Sequence, residues 1–461
     1  MNEQSLLGGT RREFIKTGGQ VAAASVLAGI TLPHVLGAAD TPLKSEGLQI
    51  ALVGAGGRGT GAASNALSVS GPPIKLVAMA DVSEKKMEGS YNGLSKKHGD
   101  KVEVPPDRRY IGFDAAMKAM DHLRPGDVAI FATPCAFRGV HFKYAMDKGL
   151  NVFMEKPVAP DGPSARRLYA LAEESLTKPI KVAVGLMCRH SAARVELLKR
   201  IKDGQIGDPI SYRCYREQGV VASCFSDPKP EGMNELEWQI SRFHSFLWLS
   251  GGSFSDYMIH NIDECCMMHE KFPIKAAATG GRHYREGHVD QNFDHYNVEY
   301  TFDDGIKQHM SQRNMPGCKS EFASYVHGTK GMAVISSAAH TPAKAKIFKG
   351  HNMKSEDVVW AMPQPETDPY QVEWDDFITA IRQNTPYNEL KRGIDASLTC
   401  VMGRMAAHTG QEITWDDALN CDHDMAPNVG ELKLGGESPL KADAKGLYPV
   451  PEPGVKKKRE Y

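Results

Sequence analysis

Short apolar runs at Leu48–Val53, 74–80, 128–132, 152–154 and 182–185 punctuate the first part of the chain. Amphipathic stretches near 59–68, 84–98, 113–122, 137–148 and 163–174 separate them. Runs that are apolar throughout predict strands buried on both faces. Strands alternating with helices predict a parallel sheet covered on both sides. After Gly185 the pattern changes. Residues 192–204 read as a helix, with Val195, Leu198 and Ile201 at helical spacing. Strands then follow one another without helices between them. The runs 295–302 and 306–313 flank Asp303-Asp304-Gly305 and predict a hairpin. The runs 325–327 and 332–336, around Gly328-Thr329-Lys330-Gly331, predict another. Residues 338–369 read as an irregular surface loop or arm. Trp374, Phe377, Ile378 and Ile381 mark an amphipathic helix, and a further helix over 394–408 ends at Gly410. Beyond Asp422 no periodicity remains, and no internal repeat is present.

The first strand runs directly into Gly54-Ala55-Gly56-Gly57-Arg58-Gly59, which is G-x-G-x-x-G between a strand and a helix. Gly54 permits the sharp turn, Gly56 admits a pyrophosphate close to the backbone, and Gly59 lets helix and strand approach. Phosphates would rest on the helix N-terminus, where unpaired N–H groups favour anions. The second run ends at Asp81, roughly 20 residues beyond the glycines, where a carboxylate binds the ribose hydroxyls of NAD and repels the extra phosphate of NADP. A helix N-cap is the competing reading of Asp81. Lys85 and Lys86 leave NADP possible. The fold class is therefore α/β: a Rossmann dinucleotide-binding domain over 46–185, then an α+β domain with a mainly antiparallel sheet over 186–420. Residues 421–461 form an irregular tail.

Residues 1–39 read as a leader. Arg11-Arg12 with Phe14 make a twin-arginine pattern, 21–32 is short and weakly apolar, and Gly37-Ala38-Ala39 offers small residues for cleavage. The apolar stretch is too short to span a bilayer, so the expectation is export to the periplasm by the twin-arginine route, without stable membrane insertion. The competing reading is a disordered amphipathic tail. With 55 Lys and Arg against 56 Asp and Glu, the net charge of −1 leaves no basic footprint for nucleic acid. Lys456-Lys457-Lys458-Arg459 is a short solvated run. A chain of 461 residues exceeds what one core usually holds. The nine cysteines show neither C-x-x-C nor zinc-like spacing, so buried thiols are expected, and no metal.

Three stretches lie where chemistry would need them. Ala132-Thr133-Pro134 and Glu155-Lys156-Pro157 each end a strand at the edge where open parallel sheets bind ligands. Lys156 is placed to donate to, or accept from, a reacting hydroxyl, or else is an ordinary solvated lysine. In Gly251-Gly252-Ser253-Phe254-Ser255-Asp256-Tyr257-Met258-Ile259-His260, a helix would put Asp256 and His260 on one face. A carboxylate one turn from an imidazole orients it for proton transfer. Equally, Ser253-x-x-Asp256 is a capping box and His260 a satisfied core histidine. A metal reading of His260 and Asp263 lacks a third ligand.

In this order, the glycine turn, Ala-Thr-Pro, Glu-Lys-Pro and Gly-Gly-x-x-x-Asp-x-x-x-His-x-x-Asp resemble the Gfo/Idh/MocA (glucose–fructose oxidoreductase / inositol dehydrogenase) family. The likeness runs from about Gln49 to Ile413 and includes Gly328-Thr329-Lys330-Gly331 and Thr409-Gly410-Gln411-Glu412. It implies an NAD(P)-dependent oxidoreductase of a sugar or polyol, with Lys156, Asp256 and His260 as the catalytic set. The implied cofactor residues are Gly54, Gly56, Gly57, Arg58, Gly59, Asp81, Thr133, Pro134, His141, Glu155, Lys156 and Arg189. A homo-oligomer is expected. The leader, the 338–369 arm and the Cys265-Cys266-Met267-Met268 run depart from the simplest members. Exported members of the superfamily include enzymes that keep their cofactor and glycosidases that use NAD transiently. A glycosidase is thus the alternative reading, and a non-catalytic sugar-binding protein the second. An exported enzyme works best with a tightly held cofactor.

Overall fold

A computed structural model describes residues 47–283 and 286–461. The leader assigned to residues 1–39 lies outside the described residues. Among these residues no helix is long and apolar enough to cross a membrane.

Six parallel strands form the first sheet: β1 (Leu48–Val53), β2 (Ile74–Asp81), β3 (Arg109–Ile111), β4 (Val128–Phe131), β5 (Asn151–Met154) and β6 (Val182–Val184), in the order β3-β2-β1-β4-β5-β6. Strand order reverses between β1 and β4, so the chain leaves these two strands in opposite directions and opens a crevice at their carboxyl ends. The alternation along β1 decides its two contacts. Ile50 and Leu52 face the helices Gly57–Ser68 and Glu84–His98, whereas Ala51 and Val53 face the helices of the opposite layer. The sequence pattern missed β3, a three-residue edge strand in which Arg109 and Tyr110 are half-buried and Ile111 is exposed.

The helix Pro369–Gln383 returns to this first sheet. Trp374, Phe377 and Ile378 join Ile50, Leu52 and Phe153, and the Trp374 and Phe153 rings stack at 4.3 Å. Burying each such side chain contributes about 1.5–3 kcal/mol. A stretch that sequence position assigns to the second domain therefore completes the first.

The second sheet has nine strands: β7 (Pro209–Gln218), β8 (Lys275–Gly281), β9 (His295–Thr301), β10 (Lys307–Asn314), β11 (Glu321–Gly328), β12 (Gly331–Ser337), β13 (Lys346–Lys349), β14 (Val358–Ala361) and β15 (Ile413–Thr414), in the order β14-β13-β12-β11-β7-β10-β9-β8-β15. Its pairs are antiparallel except β7 with β10. Tyr296, Val298 and Tyr300 of β9 are buried, while Asn297 between them is exposed, as expected of a sheet with one covered face. The helices Gly252–His269 and Leu390–Thr409 supply that cover. Both predicted hairpins are present, and Gly305 takes φ +87° in the first turn. Residues 338–369 are not simply a loop: β13 and β14 extend the sheet at its edge. The 421–461 segment has little regular structure, yet Met425, Val429, Leu440 and Tyr448 pack on Leu236, Trp238, Phe246 and Trp248. All nine cysteines are free thiols, and Cys265 and Cys266 are buried.

Candidate active site

Gly54 has φ +95°, and a Cβ there would stand 2.7 Å from the Ala132 carbonyl carbon. At Gly59 a Cβ would stand 1.9 Å from the Gly54 oxygen, so only glycine lets the helix Gly57–Ser68 sit this close to β1. Gly56 and Gly57 are different, because nothing lies within 4 Å of either Cβ position. Their backbone borders a cleft of about 230 Å³ lined by Gly54, Gly56, Gly57, Arg58, Gly59, Asp81, Thr133, Pro134 and His141, with Ile240 and Phe243 from beyond the first sheet. Open glycine backbone at a helix start, facing a cleft, is the cradle a dinucleotide pyrophosphate requires.

Asp81 accepts from Ala55 N at 2.7 Å and from Ser83 N at 2.8 Å, so it braces the glycine turn from the end of β2. Ser83, not Asp81, caps the next helix. Lys86 also lines the cleft. His141 is buried and neutral: burial, then the Arg138 charge, push its pKa down to about 3. Arg138, which the sequence did not single out, donates to the carbonyls of Thr133 and Glu155 at 3.0 Å and so ties the ends of β4 and β5 together.

Three of the expected cofactor residues stand outside the cleft lining. Glu155 lies 2.6 Å from Arg58 Nε, and Tyr370 covers that guanidinium at 4.6 Å. The Arg58 charge is therefore directed at Glu155. Arg189 grips Asp263 through two bonds of 2.8 and 2.7 Å, which accounts for the last aspartate of the motif. Lys156 reaches toward the second sheet instead. Its Nζ donates to the Asp256 carbonyl at 2.7 Å and lies 3.7 Å from the Asp256 carboxylate.

The helix carrying Asp256 starts at Gly252, with Gly251 as a left-handed N-cap at φ +73°. Ser253 is already inside it, and its N–H donates to Asn292 at 2.8 Å, so no capping box forms. Asp256 and His260 share a face as the spacing requires, but their partners differ. His244 Nε2 lies 3.3 Å from Asp256, and its Nδ1 lies 3.0 Å from Ser223 Oγ. Burial alone would raise the Asp256 pKa, but Lys156 and His244 hold it down to about 2. Among the described residues nothing bonds His260 Nδ1. Burial, then His340, Lys156 and Arg216, keep the His260 pKa well below its ordinary value, so the imidazole is neutral. His244, Arg216 and His340 come from a short turn, a strand and the 338–369 segment, and the sequence reading missed all three.

Arg404 fixes the start of this helix. It donates to the Gly251 carbonyl and to Ser255 Oγ at 3.0 Å, and to the Pro160 carbonyl, just beyond Lys156-Pro157, at 2.8 Å. Glu460 matches its charge through contacts of 2.8 and 2.7 Å and reaches His408 at 2.6 Å. Lys457 to Arg459 are exposed, as expected, but Glu460 beside them is 3% exposed.

The neutral histidines set a pH dependence. The unfolded chain protonates His141 and His260 near 6.5, whereas the fold resists protonation of both until far lower. Between those values the unfolded state binds more protons. Stability therefore falls as pH drops below the unfolded value, by about 1.4 kcal/mol per pH unit for each histidine. Urea midpoints measured from about pH 7 to about pH 5 should show this slope, and His260→Gln should flatten it. An unchanged slope in that variant would refute the assignment.

A profile described as "Oxidoreductase family, C-terminal alpha/beta domain", of the Gfo/Idh/MocA group, matches residues 199–414. The scyllo-inositol 2-dehydrogenase (NAD(+)) of Bacillus subtilis (strain 168) is 25% identical over 369 residues, spanning 78% of this chain and 94% of that protein. The aldose-aldose oxidoreductase from Caulobacter crescentus, solved with glycerol, has the same fold: TM-score 0.61 at 17% identity, over 80% of this chain and 99% of that one. A levoglucosan dehydrogenase in complex with NADH and levoglucosan gives 0.59 at 18% identity, with the same coverage. The glycine crevice, the two-sheet architecture and a relative matched along nearly its whole length agree with that match: residues 199–414 form a C-terminal domain of the Gfo/Idh/MocA oxidoreductase family, and the chain as a whole is similar to its inositol dehydrogenases.

Proposed function

We propose that the protein is an NAD(P)-dependent dehydrogenase of a sugar or polyol hydroxyl that keeps its nicotinamide cofactor between turnovers. One observation carries the reading: Lys156, at the carboxyl edge of the sheet that forms the glycine cleft, meets Asp256 on the helix that also presents the neutral His260. When bound, the nicotinamide supplies the hydride acceptor. Gly56 and Gly57 would hold its pyrophosphate and Asp81 its ribose. The Asp81 carboxylate favours NAD over NADP. His260, kept neutral by its burial, accepts the hydroxyl proton, and Lys156 polarises the same oxygen. Asp256 acts through Lys156 and His244, holding the ammonium in place rather than orienting His260. Export by the twin-arginine route, periplasmic residence and a homo-oligomeric state belong to the same proposal. They rest on the leader pattern and the family, and are checked by cell fractionation and light scattering.

The test has two parts. Purified protein, dialysed and then denatured, should release nicotinamide nucleotide into the supernatant. Mass spectrometry of products from free sugars, polyols and glycosides should show an oxidised sugar or polyol. Release of a leaving group without net oxidation would instead establish a glycosidase. A clean apo-protein that binds NAD weakly would reject cofactor retention while leaving dehydrogenation standing.

A further inference from the structure

Arg189, Arg194 and Arg404 each bond to the helix Gly252–His269 or its N-cap, and each is matched by a carboxylate: Asp263, Glu264 and Glu460 respectively. Arg216, on β7, also bonds there, donating to the Tyr257 carbonyl at 3.0 Å. Among the described residues it has no carboxylate within ion-pair distance. Its guanidinium lies over Phe322 at 4.6 Å and donates to His340 Nε2 at 2.7 Å, while its own Nε–H is buried without a partner. A guanidinium only donates, so His340 Nε2 must accept, and the ring proton sits on Nδ1. That Nδ1–H is also buried without a partner. Arg194 holds the His340 carbonyl at 2.9 Å, which fixes the residue in place. The His340 ring is 4.6 Å from that of His260, so this pair adjoins the catalytic set.

A charge taken from water without a counter-charge is costly, as is each unmet donor. Two unmet N–H donors, and a positive charge that Asp256 attracts only from beyond ion-pair distance, are what a carboxylate satisfies. We propose that Arg216 and His340 form a subsite for a carboxylate on the substrate, so that the sugar oxidised is an acidic one, a uronic or aldonic acid. This rests on the dehydrogenase reading above and narrows its substrate class.

Binding decides it. Glucuronate, galacturonate and gluconate are titrated calorimetrically against glucose, galactose and sorbitol, on protein saturated with NADH. At least one acid should bind about 10–100-fold more tightly than its neutral counterpart. Arg216→Gln should reduce that preference to about threefold or less, with Arg216→Lys retaining part of it and His340→Ala weakening it. No acid preference in the wild-type protein would overturn the subsite whatever the variants do. An undiminished preference in folded Arg216→Gln would overturn it too. Turnover on the same panel reports separately. Acid-selective binding with no sugar oxidised would remove the dehydrogenase reading and leave the subsite. Turnover without acid preference would remove the subsite alone.

Discussion

His260→Ala should lower turnover by about 10²–10⁴-fold with the fold retained, and Lys156→Met should do the same, because in the proposed mechanism each removes a group that handles the hydroxyl proton or its oxygen. The structure adds a finer expectation. Asp256 touches Lys156 and His244, and no bond joins it to His260. In a double-mutant cycle, Lys156→Met and Asp256→Asn should couple by about 1–3 kcal/mol in activation free energy, the second change adding little to the first. Asp256→Asn and His260→Gln should lie closer to additivity. Steady-state kcat for the four single variants and both double variants separates the cases. Strong coupling between Asp256 and His260, with none to Lys156, would restore the simpler carboxylate–imidazole pair that the motif spacing suggests. Wild-type turnover in both His260→Ala and Lys156→Met would remove the catalytic assignment altogether.

Glu460→Gln destabilises the protein by about 3–5 kcal/mol, the usual cost of leaving one member of a buried ion pair without its counter-charge. Arg404 is fully buried, and Glu460 is held well below the ordinary carboxylate range, because Arg404 and His408 outweigh the burial that would raise it. Calorimetry reads the loss as a lowered unfolding midpoint. Replacing the pair together, Arg404→Met with Glu460→Leu, should recover much of the stability, since apolar side chains of similar volume serve a buried site as well as ions do. Turnover should stay low in that double variant, because the Gly251 and Pro160 carbonyls have lost the donors that position Asp256 and Lys156. Recovery of both stability and turnover would show Arg404 to be structural only.

The parts legible in the sequence are those decided by neighbouring residues. The glycine turn, the apolar strands around it and the Asp-Asp-Gly hairpin depend on backbone conformation and a period of two, both local properties. The Asp256–His260 spacing correctly put two side chains on one helix face. Which partner each meets depends on elements far away in the chain, such as Lys156, 100 residues before Asp256, and no local pattern encodes that. Arg216 sits in an alternating strand, where an inward arginine reads like an outward one. His340 follows a bend in a segment whose two short strands, β13 and β14, carry too few apolar residues to announce themselves. The capping box failed for a stereochemical reason: Gly251 and Gly252 both take positive φ, at +73° and +74°, and start the helix before Ser253.

The Arg404–Glu460 pair also bears on the order in which the site can be assembled. A chain emerging from the ribosome has presented Lys156, Asp256 and His260 long before residue 460. Until Glu460 docks, Arg404 is an unmatched cation that favours water over the interior, and the Gly251 and Pro160 carbonyls have no fixed donor. Closing the site therefore waits until the segment around Glu460 has been made and has docked on Arg404. Chains that stop short of Glu460 carry Lys156, Asp256 and His260 and lack the latch that aligns them.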